Sequence, residues 1–129
     1  MDLKSVTRIS ASGLQAQALR MRVIAENLAN ADSVASTPGG DPYRRKLVLF
    51  APDDNGVKVS GVRRDGASFT RVYQPGHPAA DAAGYLLRPN VNSLVESADM
   101  KAAQRGYEAN LNAIEAARSM TLRTLDLIK

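Results

Sequence analysis

The chain has no cysteine and no tryptophan, a single histidine, and only two Phe and four Tyr among its 129 residues. Without cysteine there is no disulfide framework, no thiol nucleophile and no cysteine zinc site. His77 lies between Gly76 and Pro78, apart from any Ser or second histidine that could complete a relay, and reads as a turn residue. No glycine-rich string of the phosphate-cradling kind occurs. Asp53, Asp54 and Asn55 precede Gly56 without the spaced oxygen ligands and closing glutamate of a calcium loop. The carboxylates are otherwise scattered singly, with no pair spaced for acid/base work. The expectation is a protein that is not an enzyme, with no cofactor, no metal and no catalytic residue.

Long apolar runs are missing as well. No stretch approaches the roughly 20 apolar residues that span a bilayer, and the first residues carry Asp2, Lys4 and Arg8 in place of a signal-peptide core. The chain is therefore expected not to insert directly into a membrane, and to leave the cytoplasm, if it does, without a cleavable signal peptide.

Charge of one sign is not concentrated on either end. The net charge is +4, but the first thirty residues hold four basic and two acidic side chains and the last forty hold five of each, so neither segment presents a basic face. Arg44, Arg45 and Lys46 stand in a row, and Arg63 and Arg64 form a pair, without the interleaved aromatics of a single-strand platform. Nucleic acid is not an expected partner. These five are assigned to solvated strand edges, where charge blocks edge pairing, and to lateral contacts with acidic patches on neighbouring molecules.

What the chain does have is helical periodicity at both ends. Leu14, Ala18, Met21, Ala25 and Leu28 fall on one stripe, with Leu3, Val6 and Ile24 beside it. Met100, Ala103, Tyr107, Leu111, Ile114, Ala117, Leu125 and Ile128 follow a heptad-like spacing, with Asn110 at a d position and Thr121 as the weakest a position. A second apolar set accompanies each: Ile9, Ala16, Leu19 and Val23 in the first segment, and Ala109, Ala113, Ala116, Met120 and Leu127 in the second. A two-helix hairpin buries one stripe per helix, so the second sets predict packing against further helices from other molecules. Gly13 and Gly106 lie inside these segments, where glycine costs about 1 kcal/mol relative to alanine, and call for a close neighbour or a bend.

The middle is turns and short strands. Asp32 to Pro42 is a flexible loop that stops the first helix near Asn30. Tyr43 to Ala51 and Val57 to Val62 read as strands joined by a type I′ turn with Asn55 and Gly56 at its centre. Ser68 to Tyr73 forms a further short strand, and Tyr85 to Pro89 runs extended. Asn92 or Ser93 caps the second helix, with Glu96 placed for a capping box with Ser93. The fold expected is mainly α with a small β part: long N- and C-terminal helices paired in a coiled-coil-like bundle, with a central β-hairpin and extended segments. Its divisions are 1–31, 32–91 and 92–129.

Ser12 to Ser33, SGLQAQALRMRVIAENLANADS, resembles the N-terminal signature of the bacterial flagellar axial proteins, the rod and hook subunits, with Leu28, Ala29 and Asn30 matching its leucine-alanine-asparagine core. PYRRK from Pro42, VYQPGHPAAD from Val72, GYLLRPNVN from Gly84 and RGYEANLNAIEAARSM from Arg105 are similar to the proximal-rod branch of that family. The resemblance implies a structural subunit of the flagellar basal body, exported through the type III apparatus, whose terminal helices join an inner tube with other copies and other rod proteins in the periplasm. On that reading the assembly interface comprises Leu14, Met21, Ile24, Leu28, Ala29, Asn30, Tyr107, Asn110, Leu111, Ile114, Leu125 and Ile128. A soluble helical oligomer acting as a cytoplasmic adaptor is the alternative from another class.

Overall fold

The computed structural model describes residues 2–129. Two helices carry most of the chain, α1 (Leu3–Ala29) and α2 (Ser93–Ile128), with four strands between them: β1 (Lys46–Asp53), β2 (Gly56–Arg64), β3 (Thr70–Tyr73) and β4 (Tyr85–Arg88). The expected class, mainly helical with a small β part, is the one observed.

Side chains start and stop the helices. The Asp2 carboxylate accepts the Ser5 backbone N–H at 2.7 Å and caps α1. Bonds from Ser5 hold that carboxyl below its ordinary value. Asn30 ends α1, its backbone N–H and its Nδ2 both donating to the Glu26 carbonyl. At the other helix the Asn92 side chain accepts from Leu94 N and Val95 N. Glu96 is not a capping-box partner of Ser93: its carboxylate turns inward, and only its backbone N–H bonds back to Asn92 O.

The helices run antiparallel. Gly13 faces Asn110, Gln17 faces Gly106 and Asn27 faces Glu96, so each step along α1 is matched by an equal step back along α2. A methyl built on Gly13 would lie 2.6 Å from Asn110 Nδ2, and one on Gly106 would lie 2.9 Å from Gln17 Nε2. Both glycines therefore answer to close approach of the partner helix. The seam of α1 is built from these small and polar residues. The stripe read from periodicity is shifted off it: Leu14, Met21 and Leu28 are half-buried at its flank, while Ala18 and Ala25 are exposed. On α2, Ala103 and Ala117 are buried and Tyr107 and Ile114 half-buried, but Leu111 lies outside the seam at 38% exposure.

β1 and β2 pair antiparallel from Lys46↔Arg64 to Asp53↔Gly56, with a bulge after Leu49 that leaves Ser60 without an opposite residue. The connecting turn is Asp54 and Asn55, one residue earlier than expected, and among the described residues none other than glycine has positive φ, so a type I′ turn centred on Asn55 and Gly56 is not formed. Gly56, at φ 119°, is required for a different reason: a Cβ there would meet Ser12 Oγ at 2.7 Å and Ile9 Cγ2 at 3.0 Å. The hairpin tip presses directly on α1.

That contact corrects a second expectation. Ala16 and Val23, assigned with Ile9 and Leu19 to neighbouring molecules, are buried within the chain because β1 and β2 lie over this face of α1. β3 and β4 pair antiparallel from Thr70↔Arg88 to Tyr73↔Tyr85 and, among the described residues, pack on no other helix or strand. Leu86 and Ala79 are buried there. Tyr73 and Tyr85 meet at 5.1 Å between ring centroids, and the Arg71 guanidinium lies 4.0 Å from the Tyr85 ring centre. His77 sits in the preceding loop, its Nδ1 accepting the Ala79 N–H.

Candidate assembly interface

Two features decide which surfaces this chain can present: a polar knot that fastens the middle segment to the helix pair, and an apolar face that the fold leaves uncovered.

The knot forms where the last turn of α1 meets the first turns of α2. Asn27 and Glu96 are each 1% exposed, the largest fully buried side chains of the chain. Asn27 uses its whole amide: Nδ2 donates to Lys46 O and Glu96 Oε2, and Oδ1 accepts from Tyr43 OH and Lys46 N. It thus pairs with both backbone groups of Lys46 as a neighbouring strand would. A buried carboxylate without a cation would be costly, and Arg45 answers it. The Arg45 Nε donates to Glu96, its Nη1 reaches Asp65 at 3.2 Å and its Nη2 reaches Asp99 at 3.3 Å. Burial alone would pull the Arg45 guanidinium down, but the bonds to Glu96 and Asp65 outweigh it and hold it above the ordinary arginine value. The Ala67 N–H, opposed by burial and supported by Arg45, keeps the Asp65 carboxyl below its usual value. Burial, followed by the nearby Glu26 and Glu96, pushes the Tyr43 phenol up. Asn90 completes the knot, accepting Arg45 N and donating to Asp65 O and Ala67 O.

Three of the five cations assigned to lateral contacts are therefore engaged inside the chain. Besides Arg45, the Lys46 Nζ donates to Glu26 at 2.6 Å, and Arg44 donates to Asp65 O and Ala67 O while its guanidinium covers the Phe69 ring at 4.1 Å. They were read as surface charges because nothing in a run of three basic residues shows which one turns inward. Arg63 and Arg64 are exposed, and among the described residues neither pairs with a carboxylate. Asn27 escaped the sequence reading, and Glu96 entered it only as a capping-box residue. The one signal was a polar residue at seam spacing, with Glu96 four positions before Met100, and that spacing does not name a partner.

The remaining interface residues fall into three groups. Ile24, 5% exposed, is a contact inside the chain and cannot meet a neighbour. Leu14, Met21, Leu28, Asn30, Tyr107, Asn110 and Ile114 are half-buried along the two helices. Asn110 Nδ2 donates to Gly106 O while its side chain rests on Gly13, so its place is the seam of this one chain. Ala29, Leu111, Leu125 and Ile128 are exposed. Exposed with them are Leu122, Leu127 and Met120; Leu127 is 86% exposed and Ile128 75%. In the register of the two helices this end of α2 runs past the start of α1. Leu3, Val6, Thr121, Thr124 and Leu125 line an open, mostly apolar groove at that junction. An exposed apolar surface of this kind is a candidate for contact with another molecule.

Comparison with known proteins agrees at both ends of the chain. A family model described as flagella basal body rod protein matches residues 8–35, and one described as flagellar basal body rod FlgEFG protein C-terminal matches residues 82–127. The flagellar basal-body rod protein FlgC of Agrobacterium fabrum is 45% identical over 98% of this chain and 96% of its own. The chain belongs to the FlgC family of flagellar basal-body rod proteins. FlgC of Salmonella typhimurium is 44% identical over 98% of each chain, and FlgC of Bacillus subtilis is 38% identical over 94% of this chain and 95% of its own. Because FlgC relatives are matched along nearly their whole length, the knot and the hairpins fall inside the shared region together with the helices.

Proposed function

We propose that this protein is a structural, non-catalytic subunit of the flagellar basal-body rod, assembling with further copies of itself and with other rod proteins into a helical shaft that transmits motor torque. The observation that carries the reading is the uncovered apolar side of α2, continued by the exposed Leu122, Leu125, Leu127 and Ile128 where α2 runs along and past the start of α1. Heterologous contacts between unlike faces generate open helical assemblies, and a rod needs this kind of growth. Torque is then shared among many small dispersion contacts along packed helices.

Passage to the rod's site in the periplasm through the type III export apparatus accords with helices stabilised mainly by tertiary and quaternary packing, which unfold readily when isolated. Tagging the chain in a flagellated host that lacks its own copy, and measuring it by mass spectrometry in purified hook–basal bodies, tests the reading. A stable ratio to other rod proteins is expected. Recovery only from the soluble fraction would instead identify a cytoplasmic helical adaptor.

A further inference from the structure

The β1–β2 hairpin is charged oppositely at its two ends. Its tip carries Asp53 and Asp54, exposed and, among the described residues, without a cationic partner. Its base carries Arg63 and Arg64, which with Arg22 from α1 surround a groove of about 390 Å³ floored by Leu19, Val23 and Val62. Arg22, Arg63 and Arg64 are all exposed and none pairs with a carboxylate among the described residues. The one acidic residue lining the groove, Glu26, is already bound to Lys46. The base is therefore a positively charged hollow with an apolar floor.

We propose that this hollow receives the hairpin tip of a second copy of this chain, the Asp53 and Asp54 carboxylates meeting Arg63, Arg64 and Arg22 while Pro52 rests on the apolar floor. The inference deepens the rod reading, on which it rests, by naming a contact between copies. Carboxylates and guanidinium groups form paired, directional bonds, and the apolar floor excludes water from them. Tip and base belong to one element but are unlike surfaces, so the contact is head-to-tail: each copy that fills a neighbour's hollow still presents an empty one. Such a contact propagates around or along an assembly rather than closing in a pair. It also gives the knot a purpose beyond stability. Lys46, which fixes the hairpin base, is bonded by its backbone to Asn27 on α1, so the angle of the connector is set by the helix pair.

The absence of cysteine makes the test clean. Asn55→Cys and Val62→Cys, introduced together, place one thiol at the tip and one at the hollow. Seven residues of strand separate them, about 23 Å, far beyond the roughly 7 Å between Cα atoms that a disulfide spans. Any disulfide is therefore between copies. In oxidised hook–basal bodies from a host lacking its own copy, a ladder of dimers, trimers and higher species is expected from the double variant and none above dimers from either single variant.

A double variant that is present in basal bodies yet stays monomeric, or stops at dimers, overturns the head-to-tail contact. Absence of the unaltered chain from basal bodies would instead sink the rod reading itself. Charge exchange supplies an independent arm: Asp53→Arg with Asp54→Arg should lower incorporation by roughly tenfold or more, through like-charge repulsion. Adding Arg63→Asp and Arg64→Asp to the same chain should restore it. Incorporation unaffected by the first pair, or not restored by the second, overturns the proposal.

Discussion

The two long helices differ in what surrounds them. α1 is packed on α2 along one face and beneath the β1–β2 hairpin along another, and 6 of its 27 residues are buried. α2 is longer, but among the described residues α1 is the only helix or strand that packs on it, and 3 of its 36 residues are buried. Both segments have two apolar faces in sequence, so the difference does not come from composition. It comes from the hairpin, which folds back over the helix that precedes it and leaves the helix that follows without a cover. α1 is thereby committed to the fold of the subunit, and the outer side of α2 is left exposed.

Breaking the knot should hurt most, since it fastens the hairpin to α1 and both to the start of α2. Arg45→Met removes the cation over Glu96 and is expected to cost on the order of 3–5 kcal/mol, read as a lowered denaturant midpoint. A loss below about 1 kcal/mol would mean that Glu96 is satisfied without Arg45.

Gly13→Ala sharpens the comparison at the seam. The substitution gains about 1 kcal/mol of helix propensity but forces a methyl against Asn110, an overpacking worth about 1–3 kcal/mol. Net destabilisation is expected in the native background and net stabilisation in an Asn110→Ala background. An unchanged sign in the two backgrounds would remove Asn110 as the cause.

On α2 the expectation reverses. Leu127→Ser with Ile128→Ser should leave the melting behaviour of the isolated subunit within about 0.5 kcal/mol of the parent. The same change should sharply lower incorporation into basal bodies. Equal losses in both measurements would place these residues in the fold rather than in the assembly. Leu111→Asp belongs to the same class, because Leu111 lies outside the seam.

The smallest effect is that of pH. Asp2 caps α1 and Asp65 joins the knot, and both carboxyls titrate below their ordinary value of 3.8 in the folded chain. A depressed folded pKa contributes stability above the unfolded value, and that contribution disappears as pH falls through the folded one. Amide exchange at the first turn of α1 should therefore accelerate as pH drops below about 4, after correction for intrinsic rates. The start of α2, capped by the uncharged Asn92, should not respond through its cap.

Helix existence was legible because apolar residues recur at helical spacing over long stretches, and the stop at Asn30 and the start at Asn92 follow from local capping chemistry. The strands were legible within a few residues. The turn was misplaced by one position because Asn-Gly normally dominates a hairpin, whereas here Gly56 answers to the nearness of Ser12 and Ile9, residues more than forty positions away. The seam was misjudged for a related reason. Periodicity weights large apolar side chains, yet close approach of α1 and α2 occurs at Gly13, Gln17, Gly106 and Asn110, whose small size or polarity hides them.

The amino-acid sequence by itself determined that this is a chain of two long amphipathic helices around a short β segment, and that it belongs among the flagellar axial proteins. Local periodicity, caps and family motifs are properties of neighbouring residues. Only the tertiary structure decided that Arg45 turns inward to Glu96, that the second face of α1 is closed by the hairpin, and that the outer face of α2 is not. Those outcomes depend on which distant groups arrive at the same point, and burial is a property of the whole packed chain.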